Sequence, residues 1–282
     1  MKTFEATFYG TRGSSPAAGS AFVAYGGDTS CLALQLSERL FVLDAGTGII
    51  PLGEQVTAAA TKKLDIFISH AHYDHVQGLP FFTPLMTPDI DITIWFAGCD
   101  DAVDGKVLLE KLLGGPFLPF SLKDLKCRLT HQALPKSGSI DLGDGVRLGT
   151  MQTNHKGGCT AFRFDAHERS FVYAPDFEHD NGHLDKALVD FMSEASFAVL
   201  DATYTFQEYN LHKGFGHTFW EKSMSLAKQA KLDRWALFHH HHRRSDTTLQ
   251  ELELQAYEMD HRAFFARDRL VYDVLNGTST IG

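Results

Sequence analysis

Short apolar runs separated by polar turns organise this chain. Residues 4–8 alternate apolar and polar side chains, the period of a half-buried strand. Two apolar runs, 32–36 and 40–43, flank Ser37-Glu38-Arg39 and predict a hairpin. Further strands are predicted over 64–69, 90–96, 126–130, 147–152, 197–200, 233–238 and 269–274, with a second hairpin pairing 161–164 with 171–174. Helical spacing predicts helices over 55–60, 102–113, 184–192, 218–230 and 249–263. Residues 10–27, rich in Gly, Ser, Ala and Pro, read as an ordered loop, and 44–48 (Asp-Ala-Gly-Thr-Gly) as a tight turn after a strand. The aromatic, Pro-containing loop at 114–120 is placed to cover a pocket. Hairpins come first, strands then alternate with helices, and the order recurs in each half. That pattern predicts two sheets packed face to face with helices outside, a four-layer αββα sandwich of the α/β class.

The 282 residues suffice for one large core, and no repeat, low-complexity tract or linker divides them. Residues 1–282 are therefore read as a single domain. A formal net charge of −9 argues against a general electrostatic grip on a nucleic acid polymer. Lys156, Lys213, Arg243 and Arg244 nevertheless fall near the candidate site residues named below and can make a pocket locally positive. The cysteines, Cys31, Cys99, Cys127 and Cys159, form no Cys-x-x-Cys pair and read as reduced thiols. Neither a signal-peptide core nor a membrane-length apolar run is found, so the expectation is a soluble, cytoplasmic protein with no membrane partner.

The chemistry concentrates in His70-Ala71-His72-Tyr73-Asp74-His75, directly after the strand predicted over 64–69. Four potential metal ligands in six residues, delivered at a strand end, make a metallohydrolase site. Two divalent ions about 3.5–4 Å apart need imidazoles and carboxylates beyond these four. Three more positions follow apolar strands: His155, Asp176 and His239, with His240 an alternative for the last. His241 and His242 read as a solvated edge. Dinucleotide and P-loop fingerprints are lacking, since Gly10 to Gly13 opens no helix and Gly46-Thr47-Gly48 lacks a further glycine.

These residues resemble the metallo-β-lactamase superfamily, whose hallmark is H-x-H-x-D-H. Other segments are similar to its phosphodiesterase-like branch, which includes phosphoribosyl cyclic phosphodiesterases, tRNase Z and class III cyclic-nucleotide phosphodiesterases. They are Gly10-Thr11-Arg12-Gly13-Ser14-Ser15-Pro16, Leu43-Asp44-Ala45-Gly46-Thr47-Gly48, Gln77-Gly78-Leu79-Pro80, Asp201-Ala202-Thr203-Tyr204 and Gly216-His217-Thr218. The resemblance implies the metallo-β-lactamase αββα fold and two divalent ions. One would be held by His70, His72 and His155, the other by Asp74, His75 and His239, with Asp176 bridging and a hydroxide between the ions as nucleophile. It assigns His217 to phosphate contact or to protonation of the leaving oxygen, work that suits an imidazole near neutral pH. Asp74 and His217 are thus the candidate catalytic residues. Zinc fits a histidine-rich set, and manganese or iron can occupy it.

For substrate contact the candidates are His179, Lys156, Lys213, Tyr73 and Phe82, with Phe81, Phe117 and Phe120 as further pocket aromatics. Asp44 and Asp201 end strands and are expected to orient ligands through hydrogen bonds. The favoured activity is hydrolysis of small phosphodiesters, cyclic ones included. A carboxylic ester, lactone or thioester on the same metal site is the alternative, and RNA processing a further one. A homodimer is implied by the resemblance alone.

Overall fold

The computed structural model describes residues 2–97, 102–116 and 118–281; Cys99 and Phe117 lie outside the described residues. In chain order the elements begin with β1 (Phe4–Gly10), β2 (Arg12–Gly13), β3 (Cys31–Leu36), β4 (Arg39–Leu43) and α1 (Ile49–Ala58). Next come β5 (Lys63–Ile68), β6 (Asp91–Ala97), α2 (Ala102–Leu112), β7 (Arg128–Leu134), β8 (Gly138–Gly143) and β9 (Val146–Thr153). Then follow β10 (Cys159–Ala166), β11 (Arg169–Ala174), α3 (His183–Phe191), β12 (Phe197–Asp201), α4 (Phe206–His212) and α5 (Trp220–Gln229). The chain ends with β13 (Trp235–Phe238), β14 (His240–His241), α6 (Asp246–Met259), β15 (Ala263–Phe265), β16 (Leu270–Asp273) and β17 (Thr278–Ile281).

Among the described residues these strands form two large mixed sheets, ordered β17-β16-β1-β3-β4-β5-β6-β7 and β15-β13-β12-β11-β10-β9-β8. A two-residue parallel pair, β2 with β14, matches Arg12 to His240 and Gly13 to His241. In the first sheet β4, β5, β6 and β7 run parallel. In the second, β11, β12, β13 and β15 do. Both predicted hairpins form, with Leu32 opposite Leu43 and Phe164 opposite Phe171.

Side-chain alternation decides the layers. On β12, Phe197 and Val199 point between the sheets while Ala198 and Leu200 point outward to the helices. β13 repeats this, with Ala236 and Phe238 inward and Trp235 and Leu237 outward. Strands buried on both faces read as continuous apolar runs, which is why these were visible in the sequence. The inter-sheet core is aromatic, with Phe41, Phe67, Phe162, Phe164 and Tyr173 all fully buried. Helix α1 turns Ile49, Leu52 and Val56 onto the outside of the first sheet, and α5 turns Met224 and Ala227 onto the second. Helices outside two face-packed sheets make the αββα sandwich. No helix among the described residues is long and apolar enough to cross a membrane.

Several boundaries differ from the sequence pattern. α1 begins at Ile49 rather than 55, because Ile49 and Leu52 belong to its buried face. The last helix stops at Met259, and Ala263 opens edge strand β15 instead. Strands β8 and β17 carry mostly exposed, polar side chains, and α4 is only seven residues long, so none left a clear apolar period.

Candidate metal centre

Asp44, His70, Asp176, Asp201 and His239 all lie just beyond or at the C-terminal ends of β4, β5, β11, β12 and β13. The C-terminal edge of parallel strands is where open α/β sheets place ligands. Here the two sheets bring their edges together. The turn after β5 continues into a short 3-10 turn over Tyr73–His75, which buries Asp74 and His75.

Three overlapping groups of donors result, one of them Asp176 with His217 and His239. His70, His72, His155 and Asp176 each offer an atom within 4.8 Å of the others, as do Asp74, His75 and His239. The groups meet at Asp176. Its Oδ2 lies 3.5 Å from Nε2 of both His70 and His155. Its Oδ1 lies 3.3 Å from His75 Nε2 and 3.5 Å from His239 Nε2. Asp74 Oδ2 lies 3.1 Å from His239 Nε2 and 3.5 Å from His75 Nε2.

Hydrogen bonds on the far side of each ring assign its proton. His75 Nδ1 donates to Asp44 Oδ2 at 2.7 Å, leaving Nε2 as a lone pair facing inward. Ser69 Oγ gives its proton to the same Asp44 oxygen at 2.8 Å, so it accepts from His70 Nδ1 at 3.1 Å. Thr203 Oγ1 donates to Asp201 Oδ1 at 2.8 Å and accepts from His239 Nδ1 at 2.9 Å. His155 Nδ1 donates to the Gly216 carbonyl at 2.7 Å. Bare nitrogens therefore converge on a buried carboxylate. His75 Nε2 and His239 Nε2 approach to 3.3 Å, and His72 Nδ1 and His155 Nε2 to 2.9 Å. His70 Nε2 and Asp176 Oδ1 are buried with no hydrogen-bond partner. Buried polar atoms are rarely left this way, and imidazole lone pairs around carboxylates fit divalent cations.

The electrostatics divide the rings: His70, His72 and His155 favour the neutral form, while His75 is drawn toward a second proton that a cation would displace. Burial drives the His70 imidazole well below its ordinary pKa, helped by neighbouring His75. Burial also lowers His155 and His72, against the pull of Asp176. At His75 burial opposes charge, but Asp176, Asp74 and Asp44 outweigh it and raise the pKa well above normal. Asp176 is held well below the usual carboxylate range because His239, His75 and His70 overcome its burial.

His217 stands beside the other two groups, its ring stacked on His239 at 4.7 Å and edge-on to His155 at 5.1 Å. Its Nδ1 donates to Asp201 Oδ2 at 2.8 Å and stays 3.9 Å from Asp176. Burial works against its charge, yet Asp201 and Asp176 raise its pKa to about 9. Asp201 thus favours the charged form of this imidazole and leaves Nε2 as its free nitrogen.

The fate of the remaining candidates is mixed. His240 turns away, its Nε2 on the Ala266 carbonyl at 2.7 Å, so His239 is the residue in the cluster. His241 and His242 stack on one another and are only partly exposed. His179 Nδ1 meets Thr218 Oγ1 at 2.8 Å, and the ring lines a cavity together with Lys213. Lys156 is exposed next to His155, and Tyr73, 71% exposed, borders a second cavity with Phe81. Phe82 is a correction. At 1% exposure it packs in the core under α1, against Gly53, and cannot touch a substrate. A Phe-Phe pair has one ring in and one out, and the sequence does not say which.

Residues 39–240 match the family model described as the β-lactamase superfamily domain. The chain belongs to the metallo-β-lactamase superfamily. Its buried His/Asp cluster makes it a metal-dependent hydrolase of that superfamily. The fold is shared with a metallo-β-lactamase fold protein, YhfI, from Bacillus subtilis at TM-score 0.71 and 17% identity, covering 97% of this chain and 100% of that one. The short form of human tRNase Z superposes at TM-score 0.68 and 17% identity, covering 96% and 99%. A diphosphatase of the PhnP family superposes at TM-score 0.70 and 18% identity, covering 96% and 97%. No curated protein matches the chain in sequence.

Sequence reasoning missed four parts of this site. Ser69 and Thr203 relay carboxylates to imidazoles, the Gly216 carbonyl holds His155, and Glu178 organises the loop before His217. Glu178 accepts from Tyr209 Oη at 3.0 Å and from the Gly214 and Gly216 amides at 2.8 and 2.9 Å. Thr203 and Gly216 stood inside segments of resemblance with no role assigned to them, and Ser69 and Glu178 left no signal.

Proposed function

We propose that this protein is a dinuclear, zinc-dependent phosphodiesterase acting as a single domain on small phosphodiesters, cyclic ones included. Divalent ions held by His70, His72, His155, Asp74, His75, His239 and Asp176 would supply Lewis-acid polarisation of a phosphoryl oxygen and activation of water. The observation carrying the reading is the His217–Asp201 pair beside the shared carboxylate Asp176. A phosphodiester leaves as an alkoxide that needs a proton, and His217 Nε2 is the donor within the site. Asp201 holds the ring in position and favours its charged form. Lys156 and Lys213, both exposed, add positive charge for the phosphate. Two structural neighbours, a tRNase and a diphosphatase, carry names from phosphate chemistry.

The test is turnover of bis(p-nitrophenyl) phosphate by metal-stripped protein as zinc or manganese is returned. Activity saturating near two ions per chain supports the proposal, and Asp74→Ala should abolish it without unfolding the protein. Tight binding of two ions with no phosphodiester turnover would move the assignment to an ester, lactone or thioester.

A further inference from the structure

A cavity of about 640 Å³ is lined by chain neighbours of the metal-centre residues and by none of the candidate ligands themselves. Asn154, next to ligand His155, lines it, as do Glu178 and His179, two and three residues beyond Asp176. Lys213 and Gly214 close it from the loop that ends at His217. Consecutive Cα atoms are only about 3.8 Å apart, so Asn154, Glu178 and His179 stand within about 12 Å of chain from the candidate ligands His155 and Asp176. Its volume is in the range of small-molecule sites.

The floor is aromatic. Phe206 touches Phe219 at 5.4 Å between centroids, Phe219 touches Tyr209 at 5.4 Å, and His179 packs on Tyr209 at 4.5 Å. Phe206 is 51% exposed and offers an open ring face. The polar groups carry the second half of the argument. Glu178 is saturated by the three donors described above. Asp180 accepts from the Gly182, Leu184 and Asp185 amides, which outweigh its burial and hold its pKa near about 2. The His179 pKa is lowered, chiefly by burial and next by Lys222. Lys213 and Lys222, the latter paired with Asp185 at 2.7 Å, are outnumbered by Glu178, Asp180 and Asp185, so the cavity disfavours a second anion while its floor suits a flat apolar ring.

We infer that this cavity receives an uncharged planar ring attached to the reacting phosphate. The substrate class is then an aryl or heteroaryl phosphodiester, not one bearing a second phosphate or a carboxylate at that end. This rests on the phosphodiesterase reading. The second cavity, of about 410 Å³ beside Tyr73 and Phe81, borders the metal motif through Tyr73 alone and is the competing location.

Calorimetric binding to the zinc-loaded protein separates the possibilities without needing turnover. The probes are methyl phosphate, phenyl phosphate and 4-carboxyphenyl phosphate. Phenyl phosphate should bind about three- to tenfold tighter than methyl phosphate, the scale of one added aromatic contact. The carboxylate should weaken binding relative to phenyl. Phe206→Ala should erase the phenyl preference and Phe206→Tyr should keep it; half-exposed Phe206 makes either change tolerable to the fold. Equal affinity for methyl and phenyl phosphate, tighter binding of the carboxylate, or a preference lost in Phe81→Ala instead of Phe206→Ala would each overturn the inference. If bis(p-nitrophenyl) phosphate is still turned over in those cases, the phosphodiesterase reading survives them. A phenyl preference in a protein with no turnover sinks that reading and keeps the ring site, and failure to bind any phosphate ends both.

Discussion

Replacing Asp44 by asparagine exchanges one oxygen for an amide nitrogen at a fully buried position. The backbone should not object, since φ at Asp44 is +61° and asparagine tolerates that region. The hydrogen bonds should. Oδ1 accepts the Ser69 amide at 2.7 Å, while Oδ2 accepts Ser69 Oγ, His75 Nδ1 and Tyr173 Oη at 2.8, 2.7 and 2.8 Å. The best asparagine rotamer keeps its carbonyl where Oδ2 was and points its NH2 at the Ser69 N–H, donor against donor. Two orphaned buried donors cost about 2–6 kcal/mol together, and three bonds each lose charge assistance of about 1 kcal/mol. The sum, about 5–9 kcal/mol, is a large share of a typical domain stability of about 5–15 kcal/mol. Metal affinity falls as well, because Asp44 sets the proton on His75 directly and on His70 through Ser69. Partners of this kind are worth about 10–100-fold in metal affinity. Zinc competition against a chromophoric chelator, with calorimetric melting alongside, should show both losses in D44N. Tyr173→Phe removes one donor and no ligand contact, so it should cost about 1 kcal/mol and leave zinc affinity within threefold. A folded D44N that binds zinc as wild type does, or a Y173F equally damaged in metal affinity, would refute the relay.

Gly216→Ala should lower zinc affinity at least tenfold in the same assay, because φ is +89° and an added Cβ would fall 2.6 Å from His155 Nδ1. His217→Gln should cut kcat for alkyl-leaving phosphodiesters by about 10²–10⁴ and barely change p-nitrophenyl release, which needs no proton; equal losses would remove His217 from the donor role. Phe82→Ala should cost about 3–5 kcal/mol by denaturant titration yet leave KM unchanged in the surviving folded fraction. Asp268 is pushed up to about 8 by burial and then by Asp28, so the native state keeps a proton the unfolded chain has lost. Stability should therefore fall as pH rises from about 4 to 8, and Asp268→Asn should flatten that slope; water still reaches this side chain, limiting the effect to about 1–3 kcal/mol. A variant whose slope matches wild type would place the titration elsewhere.

The inner layers were legible because strands buried on both faces leave unbroken apolar runs, as at 64–69, 197–200 and 235–238. Exposed edge strands such as Thr278–Ile281 obey no such pattern, since nothing on either face selects for apolar side chains. The metal cluster was legible for a related reason: its donors are rare residue types placed just after those same runs. What stayed hidden depends on direction. Phe81 and Phe82 differ only in which way the chain turns, and 58% against 1% exposure is a property of the folded turn. His239 and His240 likewise part company because φ at His239 is +60°, which swings one ring inward and sends the other to Ala266. Relays through Ser69, Thr203 and a glycine carbonyl use groups too common to stand out.

The small pairing of Arg12 with His240 has a consequence for biosynthesis. The His240 amide donates to the Thr11 carbonyl at 2.9 Å, so the segment seating His239 docks on residues made more than two hundred positions earlier. A nascent chain released as far as residue 230 already owns His70, His72, His155 and Asp176, but its second group has only Asp74 and His75. Completion of the second group must then wait until the segment carrying His239 has been made and has docked on Thr11 and Arg12.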